Sequence, residues 1–235
     1  MENERMRLRV RFISLLLLLL LLTQGVARAQ YLHPKLVDKR SVVRNVVILP
    51  PKVEIVKQGM KGSESMIEES AKVSAAVSEL VAQALQKKKI NVLNTPFTTE
   101  TGESGADQRY VLADIQGRYD ALLPKMVSKP KDVKKGRFSL GDEVLSLNVD
   151  KSADAIIFIR GQGTKLTKGK QVFSILNPLS FAFPYVFITI GIVDAHTGEV
   201  LAFAKPIAIG NVVGKEQKVL NKPITKSLKK IPEAS

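Results

Sequence analysis

The residues best suited to bind a metal ion or attack a substrate are scarce in this sequence. Among its 235 residues there are two histidines, His33 and His196, and no cysteine. A zinc site would therefore need mostly carboxylate ligands, an unusual set for structural zinc. Asp194 and His196 have the spacing of a ligand pair, but they stand in "DAHTG", where Gly198 can take the positive φ of a turn. We therefore expect a turn here and no metal site.

A segment rich in glycine and lysine, "RGQGTKLTKGKQ" (160–171), suggests a phosphate-binding loop at first sight. That loop needs four residues between its glycines, and then Lys followed by Ser or Thr. Here five residues separate Gly163 from Gly169, and Gln171 replaces the hydroxyl that would bind magnesium. The residues that follow look strand-like, so no helix N-terminus is expected to receive a phosphate. We interpret the segment as a basic turn.

Paired carboxylates and activated serines are the remaining routes to catalysis. Glu68-Glu69 and Asp142-Glu143 are adjacent pairs, and neighbours on a helix do not share a face. "GESGA" (102–106) lacks the second glycine that a nucleophile elbow requires. We therefore predict that the protein is not an enzyme, with no catalytic residues and no cofactor.

The first 29 residues have the three parts of a cleavable secretory signal. Four arginines lie between positions 5 and 11, and a 12-residue apolar block (12–23) containing eight consecutive leucines follows them. As a helix the block would rise only about 18 Å, short of the ~30 Å hydrocarbon core, which favours cleavage over an uncleaved anchor. Cleavage is predicted at the small-residue site formed by Ala27, Ala29 and Gln30. The sequence therefore predicts a protein exported to the bacterial periplasm or secreted.

The chain has a large positive net charge, and the predicted export changes which anionic partners this charge can bind. Removal of the leader, with its five arginines and two glutamates, lowers the formal net charge from +14 to +11. Outside the cytoplasm the anionic partners are lipid headgroups, phosphorylated glycolipids and acidic protein surfaces, so no nucleic acid is expected. Solubility alone also accounts for scattered lysines. The candidate contacts with an anionic surface lie in a basic connector (125–137): Lys129, Lys131, Lys134, Lys135 and Arg137.

Apolar periodicity predicts alternating strands and helices after the leader. "SVVRNVVILPP" (41–51), "INVLN" (90–94) and "SADAIIFIRG" (152–161) are predicted strands, and 185–205 is a predicted hairpin. A second helix is predicted to begin near Val111 and to stop at Pro124, and Ser139 and Asp142 have capping-box spacing. The first helix is predicted from a stripe at a 3.6-residue period: Val73, Val77, Leu80, Val81 and Ala84.

These elements predict an α/β fold in a single domain. The expected order is β-α-β-α-α-β-β-β with a helical tail, and the helices pack on a mixed β-sheet. The predicted limits are a signal peptide (1–29), an extended arm (30–41), the α/β domain (42–210) and a basic, partly helical carboxyl-terminal tail (211–235).

One run of 22 residues, "VFSILNPLSFAFPYVFITIGIV" (172–193), carries no charge. Two prolines argue against a membrane helix, and residues 185–193 alternate with a wholly aliphatic face, which indicates a buried strand. "NPLSFAFP" (177–184) has turn residues at both ends and large apolar residues between them. Such a loop either folds over the sheet or exposes an apolar patch for a partner. Its candidate contact residues are Leu179, Phe181, Phe183 and Pro184.

Three of these segments resemble a group of small bacterial envelope lipoproteins. "RNVVILPP", "SADAIIFIRGQGTK" and "VDAHTGEVLAFAK" are similar to segments of the curli-secretion channel lipoproteins and of the amino-terminal domain of the Tol-system periplasmic protein, over about Val42 to Lys205. The resemblance implies a periplasmic α/β domain that works through protein contacts and has no enzymatic activity. Those lipoproteins carry a lipidated cysteine at the mature amino terminus, where this chain has Gln30.

The function expected from the sequence is that of an exported binding or scaffold protein, an accessory of an envelope assembly or outer-membrane transport complex. The expected partners are envelope proteins, with a homo-oligomer and peripheral membrane contact left open. The alternative is a peripheral binder of anionic lipid or glycolipid through its lysine-rich surface.

Overall fold

The computed structural model describes residues 30–38, 41–94, 103–176 and 183–234. These residues form a nine-stranded mixed sheet with helices packed on it, which confirms the predicted α/β fold class. The strands are β1 (Gln30–Leu32), β2 (Asn45–Ile48), β3 (Lys52–Gly59), β4 (Gly62–Ser65), β5 (Asn91–Leu93), β6 (Ala155–Leu166), β7 (Tyr185–Asp194), β8 (Val200–Ala204) and β9 (Ile207–Ile209). The helices are α1 (Pro34–Val37), α2 (Ile67–Gln86), α3 (Glu103–Ser128), α4 (Lys168–Leu176) and α5 (Glu216–Ser227), with 3-10 helices at Pro130–Lys135 and Asp142–Leu147.

The sheet is arranged around its longest strand, β6. Its main path runs β1-β8-β7-β6-β2-β5, with the β2 pairs to β5 and β6 parallel and the rest antiparallel. The second half of β6 pairs with β3 instead of β2, because β2 is short and ends before it. β4 pairs with β3, and β9 pairs with the first residues of β7. The predicted hairpin of β7 and β8 is confirmed.

Two hydrophobic cores lie on opposite faces of the sheet. On one face α2 and α5 pack on inward side chains of β2, β3, β6 and β7, and the predicted α2 stripe from Val73 to Ala84 is buried there. On the other face α3 and the two 3-10 helices pack on Ile156, Phe158 and Phe203. Successive strand residues alternate between these cores, so both faces of the central strands are apolar.

Helix α3 continues through Pro124, where the sequence predicted a stop. Proline removes one backbone hydrogen bond of the helix ladder, a cost of about 3 kcal/mol. The last turn is retained by packing, because Met126 is fully buried in the core formed with α3.

The segment predicted to be a basic turn is a strand followed by a helix. β6 continues through "GQGTKL" to Leu166, and α4 follows, so both the turn and the strand expected after it were wrong. The glycines serve close packing here: a Cβ on Gly163 would lie 2.6 Å from Val186 Cγ2 and 2.8 Å from the Tyr185 carbonyl oxygen. Glycine inside a strand often marks a close approach of another backbone.

Several short elements were missing from the predicted order. β3, β4 and β9 were not predicted, and the arm predicted to be extended contains β1 and the single-turn helix α1. The segment with capping-box spacing is a 3-10 helix capped by Gly141, and the Ser139 hydroxyl accepts a hydrogen bond from the Gly141 N–H at 2.9 Å. The tail contains α5, which packs on α2.

Candidate functional site

The layer formed by α3 and the two 3-10 helices covers only part of one face of the sheet. Residues paired across neighbouring strands share a face, so the register defines successive rows on it. The last row under α3 contains Lys52, Arg160 and Thr189. The two rows beyond it contain Glu54, Gln162, Phe187 and Ile207, and then Val56, Thr164, Tyr185 and Ile209.

A buried charge marks the end of the covered region. Arg160 is 7% exposed, and its Nε donates to Asp120 on α3, whose second oxygen lies 3.6 Å from Lys52 Nζ. The guanidinium lies 5.6 Å from the centroid of the Tyr119 ring, which stacks on Phe158 at 4.3 Å. Burial raises the pKa of the Tyr119 phenol, so this ring stays neutral at physiological pH. The cluster joins α3 to the sheet.

Beyond that row the sheet presents an apolar patch to solvent. The exposed fractions are 44% for Phe183, 39% for Ile207 and 63% for Ile209, and Tyr185 and Phe187 are half-buried between them. Phe183 and Tyr185 make an edge-to-face contact with ring centroids 6.4 Å apart. We call these five residues the apolar patch.

The patch borders an edge of the sheet at β9. Ile188 N donates to Pro206 O at 2.9 Å, and Gly210 N donates to Pro184 O at 2.8 Å. In an antiparallel ladder these bonds alternate, so Ile207 and Ile209 direct their N–H and C=O groups away from β7. Within the described ranges β9 has no second neighbouring strand. An edge of this kind is a template for another extended chain.

The structure places some of the predicted contact residues in the patch. Phe183 belongs to it and Pro184 adjoins it at the start of β7. Leu179 and Phe181 lie outside the described residues, as do Ala27 and Ala29 of the predicted cleavage site. Gln30 begins β1 and is 7% exposed.

Of the five patch residues, only Phe183 was among the predicted contact residues; Tyr185 and Phe187 were assigned to the buried strand, and Ile207 and Ile209 were missed altogether. Ile207 and Ile209 lie in "KPIAIGN", where two isoleucines alternate with alanine. That alternation is the signal that could have revealed them, but a strand of three residues has too few positions for a periodicity.

The predicted basic connector forms the first 3-10 helix and the residues around it. All five of its predicted contact residues are exposed: Lys129, Lys131, Lys134, Lys135 and Arg137. Asp132 lies 3.7 Å from Lys135 Nζ and 3.5 Å from Arg137 NH1, which reduces the net charge of this segment. Lys134 Nζ lies 6.0 Å from the centroid of the Tyr31 ring.

His33 lies at a helix cap and His196 lies in a turn. His33 caps α1, where its Nδ1 accepts from Lys35 N at 3.1 Å. In the predicted turn the Asp194 carboxylate accepts from the N–H groups of His196 and Thr197, each at 2.9 Å, and Gly198 has φ 68°. Within the described ranges no group of three or more His, Cys, Asp or Glu residues could hold a metal ion. No helix in those ranges is long and apolar enough to span a membrane.

Comparison with known proteins gives similarities to solved structures only. No family model and no curated protein matches the chain. A PelC dodecamer from Paraburkholderia phytofirmans is 14% identical with a TM-score of 0.39, covering 90% of this chain and 100% of that chain. Lipoprotein GNA1162 from Neisseria meningitidis is 10% identical with a TM-score of 0.35, covering 80% of this chain and 95% of that chain.

A third similar structure is the LpoB C-terminal domain from Salmonella enterica. It is 10% identical with a TM-score of 0.22, covering 77% of this chain and 94% of that chain. One of the three is named as a lipoprotein. TM-scores and identities this low do not establish a shared fold or a shared function.

Proposed function

We propose that this protein is an exported, non-enzymatic protein of the bacterial cell envelope that binds another protein through the apolar patch and the β9 edge. One observation carries the proposal. The exposed isoleucines of β9 lie beside the aromatic side chains at the start of β7, and the same short strand directs backbone N–H and C=O groups outward. The predicted leader supports the compartment, and the resemblance to envelope lipoproteins supports a role as an accessory of an assembly or transport complex.

The partner contributes an extended segment that pairs with β9. In this mode the main-chain hydrogen bonds of the added strand supply affinity, and side chains on alternate positions supply specificity. The backbone groups of Ile207 and Ile209 face the added strand, while their side chains stand on the face of Tyr185 and Phe187. Apolar side chains at alternate positions of the partner would extend the same rows, so the partner segment is expected to alternate apolar and polar residues.

Site-specific photo-crosslinking tests this arrangement in living cells. A photoreactive amino acid in place of Ile209 is expected to trap the envelope partner. The same amino acid in place of Ile67, which is 82% exposed at the start of α2, serves as a matched control and is expected to trap nothing specific. Adduct formation is expected to fall at least tenfold when Phe183→Asp is introduced.

Amide hydrogen exchange on the complex with the trapped protein tests the strand pairing itself. In the unbound protein we expect the outward amides of Ile207 and Ile209 to exchange fast and that of Gly210, which is bonded to β7, to exchange more slowly. Strand addition slows exchange at Ile207 and Ile209. If both residues still exchange fast in a saturated complex, the partner does not pair with β9 and the proposal is wrong.

The partner at β9 could also be a second copy of this chain, and the crosslinking experiment distinguishes this case from a different envelope protein. The PelC structures are dodecamers, which is a property of those proteins. An adduct with twice the chain mass, together with a larger mass in light scattering, would identify a homo-oligomer in place of a different envelope protein.

A further inference from the structure

Strand β1 is the place where the predicted leader joins the folded domain. Gln30 pairs with Ala204 of β8 and is buried, so the chain enters the fold at a fixed position. Its amide oxygen accepts a hydrogen bond from Lys230 N at 2.8 Å. The next residue, Tyr31, points to the opposite face, where Lys134 Nζ lies 6.0 Å from its ring centroid. Residues distant in sequence therefore meet at this strand.

Lysines surround this entry point on both faces of the sheet. Lys229 and Lys230 are exposed beside Gln30, Lys134 is exposed beside Tyr31, and Lys205 directly follows the β8 residue that pairs with Gln30. Lys205 Nζ donates to Val127 O at 3.3 Å. We call Lys134, Lys205, Lys229 and Lys230 the basic collar.

Carboxylates do not neutralise the collar within the described part of the chain. The ion pairs there join other cations, such as Lys35 with Glu199 and Lys135 with Asp132. Glu233, exposed in the carboxyl-terminal segment, is the acidic residue nearest in sequence to Lys229 and Lys230. The collar therefore has a net positive charge at one defined end of the domain.

We propose that the basic collar binds the anionic phospholipid surface of the membrane from which the leader emerges. Six residues separate the predicted apolar block from Gln30, a span of at most about 25 Å, so an uncleaved leader in the bilayer would keep this end of the domain close to the headgroups. Lysines near an anionic bilayer surface are attracted within a Debye length of about 8 Å at physiological salt. The collar thus orients the domain during export and provides peripheral contact after cleavage.

Vesicle binding of the exported, purified protein tests this proposal. Sedimentation with phosphatidylglycerol-containing vesicles is expected, and sedimentation with pure phosphatidylcholine vesicles is not. Raising the salt from about 0.1 M to about 1 M shortens the Debye length from ~10 Å to ~3 Å and is expected to abolish binding. The double variant Lys229→Gln/Lys230→Gln is expected to bind about 25-fold more weakly, about fivefold for each lysine.

A control variant of the same net charge separates the collar from the overall charge. Lys61 and Lys168 are exposed at the far end of β3 and β6, and Lys61→Gln/Lys168→Gln is expected to bind like the unmodified protein. Equal weakening by both double variants would overturn the proposal, as would binding that is unchanged by salt or absent at low salt. Capture of an acidic protein by the collar without vesicle binding would also overturn it.

Discussion

Replacing Tyr119 with phenylalanine removes a hydroxyl that is fully buried between α3 and the sheet. No partner for this hydroxyl exists among the described residues, although the ring itself is tightly held by its stack on Phe158. A buried polar group without a hydrogen bond costs about 1–3 kcal/mol of desolvation. We therefore expect Tyr119→Phe to stabilise the protein.

The gain is reduced by the small space that the hydroxyl leaves beside Gly191. The Tyr119 ring is packed against this glycine, and a Cβ at Gly191 would lie 2.7 Å from Tyr119 Cε2. Loss of the contacts made by one oxygen atom offsets part of the desolvation gain, so the net increase in the free energy of unfolding is about 1 kcal/mol. For a domain of this size that corresponds to a rise in Tm of about 2–4 °C.

The same substitution is expected to change the dependence of stability on pH. Burial raises the pKa of the Tyr119 phenol above its value of about 10 in the unfolded chain. Above that pH the unfolded chain loses the proton and the folded protein retains it, so unfolding is favoured by about 1.4 kcal/mol per pH unit. This loss is absent in Tyr119→Phe, and the stability difference between the two proteins grows as the pH rises above 10.

Urea unfolding at pH ~8 and pH ~11 measures both effects. Tyr110→Phe is the control, because Tyr110 is 78% exposed and its hydroxyl is solvated. It should leave stability within about 0.5 kcal/mol at either pH. A loss of stability in Tyr119→Phe at pH 8 would show that the hydroxyl has a partner, such as a buried water molecule, and would refute the reasoning.

Two further substitutions test the packing of α3 on the sheet. Gly191→Ala places a methyl group against the immobile Tyr119 ring and is expected to cost about 1–3 kcal/mol in thermal unfolding; an unchanged Tm would contradict the packing described. Asp120→Asn removes the carboxylate that pairs with the buried Arg160 and is expected to cost about 2 kcal/mol. The control Asp114→Asn breaks an exposed helix pair and should cost less than about 1 kcal/mol, so equal losses would count against a special role for Arg160.

The parts of the fold that were predictable are those with a local periodicity. The α2 stripe from Val73 to Ala84 repeats over three turns, and residues 185–193 alternate over nine positions, so each pattern identifies one element and its buried face. β3 was not predictable in the same way. Its polar/apolar alternation lasts only from Lys52 to Ile55, because Val56 breaks the period, and its pairing partner, the second half of β6, lies about 100 residues away in the sequence.

The candidate surfaces depend on pairings between distant segments, and for that reason the sequence indicates them only in part. Phe183 could be identified at the end of an uncharged loop, whereas Ile209 becomes its neighbour only when β9 pairs with β7. Similarly, Lys134 and Lys230 are separated by most of the carboxyl-terminal half of the chain. On β1, Gln30 contacts Lys230 on one face of the sheet, and Tyr31 lies beside Lys134 on the other face. The strand therefore places both lysines at the same end of the domain.

Polar residues in the rows that α3 leaves uncovered indicate that folding alone does not require the apolar patch. Glu54 and Gln162 are exposed in the same row as Phe187 and Ile207, so the strands tolerate polar side chains on this face. The opposite face of the same strands is already buried under α2 and α5, which supplies the stability that these strands need. The exposed residues Phe183, Ile207 and Ile209 therefore gain little from the fold, and this is the physical basis for our proposal that a partner buries them.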